Sequence, residues 1–204
     1  MNSPIRGVGR TVWVATRAMI LFTLLLGVLY TAVVTVAGQL VFPGQSNGSM
    51  ISGEDGRDTG SSLIGQAFVD AEGNPLPQYF QSRPSAAGDG YDAGASGGSN
   101  YGPENPDLIA AIAERKAQVA VFNGVAESDV PADAVTASAS GLDPHISTAY
   151  ASIQIARVAD ARAIPADTVR ELVDAHTSRA AAGFLGQSTV NVLELNAALD
   201  RLEG

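Results

Sequence analysis

At 204 residues, with no cysteine, two histidines and a formal charge of −9, the chain excludes several classes of protein at once. A disulfide-stapled module, a thiolate metal centre, a cysteine nucleophile and a zinc site built from several histidines all need side chains that are missing. The acidic balance, without a basic cluster, speaks equally against a nucleic-acid partner.

Residues 1–17 carry Arg6, Arg10 and Arg17 and no acid. Ala18–Val41 then runs without one Asp, Glu, Lys or Arg. As a helix of roughly 1.5 Å per residue it reaches about 36 Å, enough to cross a bilayer core of about 30 Å. No Lys or Arg follows until Arg57, whereas Glu54, Asp55 and Asp58 flank that position. Positive charge is retained on the cytoplasmic side, so this asymmetry predicts 1–17 inside, 18–41 as a single-pass transmembrane helix and everything later outside. A buried core helix would be shorter and keep a polar face. A cleaved signal peptide is the nearer rival, because Thr35-Val36-Ala37 has small-x-small character, but the apolar run exceeds the usual signal core of about 7–15 residues.

Residues 42–62 are rich in Gly, Ser, Asn and Asp and read as a flexible tether. All 21 acidic and nine of the 12 basic residues lie beyond position 41, a formal charge of −12 there. The domain at 63–204 opens with two β-prone runs, Leu63–Val69 and Tyr79–Arg83. The turn residues Gly73-Asn74-Pro75 separate them and Pro84 stops the second, which predicts neighbouring antiparallel strands. Ser85–Pro103 is a long Gly/Ser/Asp loop. Loops of this length are either mobile surface insertions or functional surfaces, and in the second case Tyr91 and Tyr101 would be its aromatic anchors. Asp89 and Asp92 lack the acidic spacing of a calcium-binding loop.

From Asn105 the pattern turns helical. Asn105 suits the N-cap, Pro106 the first position and Asp107 the positive helix end. Leu108, Ile112, Val119 and Phe122 share a face, and Asn123-Gly124 ends the helix. In the next segment Ala134–Ala137 reads as a strand, and Ser138–Gly141 is small enough for close backbone approach. Asp143 reads as the cap of a helix with Pro144 and His145 in its first turn, and Ile146, Tyr150, Ile153 and Ala156 as its buried stripe. Ile164-Pro165 opens another helix, with Val169, Leu172, Val173 and His176 on one face and Arg170 and Asp174 paired outside. Gly183–Gly186 is a turn holding two apolar anchors. Thr189–Val192 is either a strand or the start of a last helix capped by Asn191 with Glu194, whose apolar face is Leu195, Leu199 and Leu202. The class is α+β: one N-terminal transmembrane helix, then an extracytoplasmic domain of short strands and about four helices.

Ser138, Ser140, Asp143 and His145 invite a hydrolase reading, because a nucleophilic serine needs a base and an orienting carboxylate. Gly-x-Ser-x-Gly is spelled at 44–48 and 94–98, but inside the tether and the long loop rather than between a strand and a helix, so neither is a nucleophile elbow. No P-loop or dinucleotide fingerprint is present, and residues crowded into one turn do not chain as a relay. A membrane-tethered serine hydrolase and a free-standing anchored binding protein therefore stand as alternatives to an accessory domain.

Several motifs occur in a telling order. After the anchor come Tyr79-Phe80-Gln81-Ser82-Arg83-Pro84-Ser85, then Ser96-Gly97-Gly98-Ser99-Asn100 running through Gly102-Pro103 to Asn105-Pro106. Thr136-Ala137-Ser138 follows, with Ser140-Gly141-Leu142-Asp143-Pro144-His145-Ile146-Ser147, His176-Thr177, Gly183-Phe184-Leu185-Gly186 and Val190-Asn191-Val192-Leu193. The whole chain resembles the KdpC family, one of the subunits of the Kdp potassium-transporting P-type ATPase. It departs in extra polar residues in the tether and in Tyr101, where the family usually has a smaller aliphatic residue. The resemblance implies a non-catalytic subunit of a bacterial plasma-membrane potassium pump. Its partners would be the channel-like potassium subunit, the ATP-hydrolysing subunit and the small stabilising subunit of the Kdp complex. It further implies a catalytic chaperone that raises the ATP affinity of the hydrolysing subunit, for which a nucleotide-contacting role has been proposed. ATP is implied for the complex; no cofactor and no metal is assigned to this chain. The partner-contact candidates are Ser96, Gly97, Gly98, Ser99, Asn100, Ser138, Ser140, Gly141, Asp143 and His145.

Overall fold

The computed structural model describes residues 5–53 and 58–202, which form two compact units, one ending at Ser49 and one beginning at Met50. Glu54, Asp55 and Arg57, part of the charge-asymmetry reading, lie outside the described residues, as does the start of the 1–17 segment.

The first unit is a long helical rod. Helix α1 (Ile5–Phe22) widens into a π-helical stretch, Thr23–Tyr30, and returns to α geometry in α2 (Thr31–Val41). In the wider stretch the Thr31 hydroxyl donates to the carbonyl of Leu26, five residues back. Val8–Val41 contains an 18-residue window of mean hydropathy 2.4, and none of that window is buried within the chain. The helix starts well before position 18 because Val8, Val12, Trp13 and Val14 continue the apolar pattern between the arginines. Phe42 leaves helical geometry (φ −132°, ψ 58°) and Pro43 opens the single turn α3 (Pro43–Ser46). Asn47 closes it, donating to the carbonyl of Pro43 at 2.7 Å.

In the second unit the first strands fall inside the stretch read as a tether: β1 (Met50–Ser52) pairs antiparallel with β2 (Asp58–Ser61). Helix α4 (Pro106–Asn123) is built as its sequence predicts. The Asn105 side chain accepts from the amides of Asp107 and Leu108, and Gly124 ends the helix at φ 64°. Its apolar face is only half-buried, and Ala120 and Asn123 sit deepest. Residues 134–137 are not a strand: α5 (Ala132–Val135) is one helical turn after Pro131, closed by the Thr136 hydroxyl on the carbonyl of Ala132.

The predicted helix at Asp143 starts four residues later. His145–Ser147 is instead β3, paired antiparallel with β5 (Thr189–Asn191). Ser147 caps α6 (Thr148–Arg162) by accepting from the Tyr150 amide, while both Asp133 carboxylate oxygens hold the Ser147 amide and hydroxyl at 2.7 and 2.8 Å. The later start rotates the buried stripe onto Tyr150, Ala151, Gln154, Ile155, Val158 and Ala159, leaving Ile153 half-buried and Ala156 exposed. Helix α7 (Ala166–Ala175) follows Pro165 and buries Val169 and Val173; Arg170 pairs with Asp167 rather than Asp174. His176 caps its end, its Nδ1 2.9 Å from the carbonyl of Leu172. Strand β4 (Thr177–Ser178) joins the other edge of β5, so β5 is central. Asn191 serves as both last strand residue and N-cap of α8 (Val192–Asp200), so both readings of that segment hold. Leu195 and Leu199 are buried, but Leu202, Phe184 and Leu185 are exposed, so the 183–186 turn anchors nothing within the described residues. Four longer helices around a small sheet make the domain mixed helix and sheet, with Phe80, Ile146, Tyr150, Val158, Val190 and Leu195 in one core.

Leu63–Val69 and Tyr79–Arg83 do not pair as strands. Residues 77–79 turn and 80–84 form no strand; the backbone of this run is bonded mainly to side chains. Asn196 of α8 accepts from the Phe80 amide at 2.9 Å and donates to the Phe80 carbonyl at 3.0 Å. Gln154 of α6 does the same for Gln81, at 2.7 and 3.2 Å. Arg157 donates to the carbonyls of Pro77 and Tyr79, and Arg162 to that of Gln78. Two buried carboxamides thus replace a neighbouring strand, which explains polar residues at inward positions of both helices. Asn196→Ala would orphan a buried donor and a buried acceptor of Phe80, so it is expected to cost about 2–4 kcal/mol. Chemical denaturation of the full chain in detergent measures this; a loss below about 0.5 kcal/mol would remove the carboxamide from that role.

Candidate functional site

The candidate residues converge where the two Gly/Ser-rich stretches meet. The Gly97 amide and the Ser96 hydroxyl both donate to the carbonyl of Ser140, at 2.8 and 2.9 Å. Ser85 organises the loop around this contact: its hydroxyl donates to the Gly141 carbonyl at 2.6 Å and accepts from the amides of Ala87 and Tyr91. The Tyr91 hydroxyl donates to the carbonyl of Arg83 at 2.7 Å, and burial pushes its pKa up to about 12. Tyr91 is therefore an internal anchor. Tyr101 is exposed and anchors no packing here.

Ser138 is 1% exposed. Its hydroxyl lies 3.2 Å from the Ser140 hydroxyl and accepts from the amides of Gly141 and Asp143, which closes the turn. Asp143 sits between a guanidinium and an imidazole: one oxygen is 3.2 Å from an Arg83 guanidinium nitrogen, the other 3.2 Å from His145 Nδ1. The same carboxylate accepts from the His145 amide, so Asp143 caps a turn entering β3 rather than a helix. Among the described residues His145 has no hydrogen bond to Ser138 or Ser140. The hydroxyls hold the turn and the imidazole holds the aspartate; the nucleophile–base contact that hydrolysis needs is not made.

The small residues have an internal reason. A Cβ on Gly98 would lie 2.8 Å from the Ala139 carbonyl oxygen, and one on Gly141 would lie 2.6 Å from that of Gly97. Gly141 also stands at φ 70°, in the left-handed region that disfavours other residues. The close approach permitted by these glycines is between the two loops themselves. The outward surface is left to Ser99, Asn100, Ser140 and half-buried His145. Asn100 holds φ 54° and donates to the carbonyl of Gly98.

Arg83 is the functional-site residue that site selection by sequence overlooked. It bridges the 77–84 run to Asp143 through one terminal nitrogen and points the other at the carbonyls of Thr136 and Ala137, while its Nε is buried without a hydrogen-bond partner. An arginine inside an otherwise apolar and amide-rich motif was the available signal.

Comparison with known proteins assigns the family. Residues 12–201 match the family model described as K+-transporting ATPase, c chain (KdpC). The chain belongs to this family. A relative from Beijerinckia indica, named potassium-transporting ATPase KdpC subunit, is 54% identical over 183 residues, 90% of this chain and 89% of the relative. A relative of the same name from Gemmatimonas aurantiaca is 54% identical over 194 residues, covering 95% and 92%. One from Mycobacterium tuberculosis is 49% identical over 189 residues, covering 92% and 96%. The resemblance carried by the ordered motifs is thereby shown, as is membership of a potassium-transporting ATPase subunit family.

Gly141→Ala should destabilise the full chain by about 2 kcal/mol or more through positive φ and the clash with Gly97. Gly98→Ala should act in the same direction. Unchanged denaturation midpoints for both would show that the loops can separate without loss, leaving these glycines to some other purpose.

Proposed function

We propose that the chain is a non-catalytic accessory subunit of a high-affinity, ATP-driven potassium uptake pump. The observation that carries this reading is the family match along almost the entire chain, residues 12–201. In this reading the helical rod crosses the bacterial plasma membrane with its arginine-bearing end in the cytoplasm and the mixed domain outside. The domain assembles with the pump's channel-like, ATP-hydrolysing and small stabilising subunits. The exposed rim of the two packed loops, Ser99, Asn100, Ser140 and His145, is the docking surface for the channel-like subunit. Support comes from its build: the rim is mounted on glycines that cannot yield and on the Arg83–Asp143–His145 cluster, so it is presented rigidly.

The acidic character of the region beyond position 41 suits a place at the outer mouth of a cation path, where negative potential raises the local cation concentration. ATP is cytoplasmic. With the domain outside, a chaperone-like effect on the ATP affinity of the hydrolysing subunit travels through the membrane helix or the partner subunits as a coupling between distant sites, not by contact with nucleotide.

Placement is tested with a single cysteine. Ser128→Cys, on an exposed turn of a chain with no native thiol, should react with a membrane-impermeant maleimide in intact spheroplasts. Reaction only after permeabilisation would put the domain inside and restore direct nucleotide contact. Docking is tested with Ser99→Arg, which breaks no hydrogen bond described within the chain. It should cut recovery of the intact complex roughly tenfold, which corresponds to about 1.4 kcal/mol of association energy, and slow growth on limiting potassium while leaving the melting temperature in place. Normal recovery would move the docking surface elsewhere.

A further inference from the structure

Away from the loop rim, a cleft of about 210 Å³ opens between helix α4 and the pinned 77–84 run. Arg83, Arg115, Gln118, Val119, Phe122 and Tyr150 are among the residues that line it. Its charge is anomalous for an acidic chain. Arg115 is half-buried and gives one nitrogen to the carbonyl of Val135 at 3.2 Å, with no carboxylate at ion-pairing distance among the described residues. Behind the wall, Arg157 lies 4.4 Å from the Phe122 ring centroid. It spends its donors on Asn123, Gln154 and the carbonyls of Pro77 and Tyr79, all neutral acceptors. Only Arg83 has an acidic partner, Asp143.

The acids on the neighbouring elements are engaged otherwise. Glu114 accepts from Gln118, and Asp133 holds Ser147. Two guanidiniums, Arg83 and Arg115, therefore line one cleft with one paired carboxylate, and a third, Arg157, stands behind its Phe122 wall. Half-buried cations without a counter-charge are costly, and an anion entering the cleft relieves that cost. Two guanidiniums lining the cleft from separate elements suit a tetrahedral oxyanion, which offers more acceptor oxygens than a carboxylate. The volume lies below the roughly 300–1,000 Å³ of pockets for drug-sized ligands, which suits a compact anionic group.

We propose that this cleft binds a compact phosphate-class oxyanion, either free phosphate or the phosphate of a lipid head group, with Arg115 as its principal ligand and the Val119–Phe122 wall covering the attached group. The test uses the full chain in a neutral detergent. Inorganic phosphate at millimolar concentration should raise the melting temperature by about 3 °C or more relative to chloride at matched ionic strength. Calorimetric titration should saturate at one site per chain. Arg115→Gln should weaken binding at least tenfold. Gln118→Glu, at an exposed position of the wall, should do the same by adding negative charge without touching the core. Arg170→Gln on the surface of α7 should leave binding unchanged.

Dihexanoyl phosphatidylglycerol against dihexanoyl phosphatidylcholine, both below micellar concentration, separates the two sources. Preference for phosphatidylglycerol over inorganic phosphate identifies the lipid phosphate as ligand; the reverse identifies the free ion. A phosphate response no larger than that to chloride, together with no preference between the two lipids, overturns the proposal. So does a response that persists unchanged in Gln118→Glu and in folded Arg115→Gln.

Discussion

The run Pro77–Pro84 has no strand beside it, and the second unit is arranged around supplying what a strand would have given. The carbonyls of Pro77, Gln78, Tyr79, Phe80, Gln81, Arg83 and Pro84 are each taken by a group from elsewhere: Arg157, Arg162, Asn196, Gln154, the Tyr91 hydroxyl and the Ser138 amide. An unpaired buried peptide group costs about 1–3 kcal/mol. Helices α6 and α8 must therefore present their polar side chains to this segment at fixed height and rotation. Phe80, fully buried between the two carboxamide clamps, ties the arrangement to the apolar core.

The loop platform hangs from the far end of the same run. Arg83 fixes Asp143, Tyr91 fixes Arg83, and the Pro84 carbonyl receives the Ser138 amide. A shift of the 77–84 backbone would move the 96–100 and 138–143 turns with it. Those turns are locked to each other through Ser85, Ser140 and the backbone contacts at Gly98 and Gly141. The result is a rigid rim built from residue types that, taken alone, look mobile. Serine here is a bracket for backbone amides, which explains why Ser138 is buried and why its hydroxyl faces no base.

The first unit obeys a different constraint. It is a rod with no buried side chain among its described residues, and helical geometry pairs the backbone groups of its interior within the helix, which is what a segment long and apolar enough to cross a membrane requires. The π-helical stretch keeps intrahelical pairing, with carbonyls bonded five residues on instead of four.

Sequence alone determined what depends on local chemistry. The charge-free apolar run declared the long helix; Asn105, Pro106 and Gly124 set both ends of α4; Asn191 capped α8; and the ordered motifs placed the chain in its family. It failed where a residue's role depends on a partner far along the chain. Tyr79–Arg83 has strand composition, but whether it meets a strand or a row of carboxamides is decided by Asn196 and Gln154, 116 and 73 residues away. His145–Ser147 looked like the first turn of a capped helix because Asp143-Pro144 is good cap chemistry. Pairing with Thr189–Asn191 and the clamp from Asp133 moved the helix start to Thr148. The glycines at 98 and 141 announced close approach, yet only the tertiary structure shows that the approaching backbone is the chain's own. Local propensity fixes what a segment can do, and long-range hydrogen bonds choose among those options, because burial makes leaving any peptide group unpaired too costly.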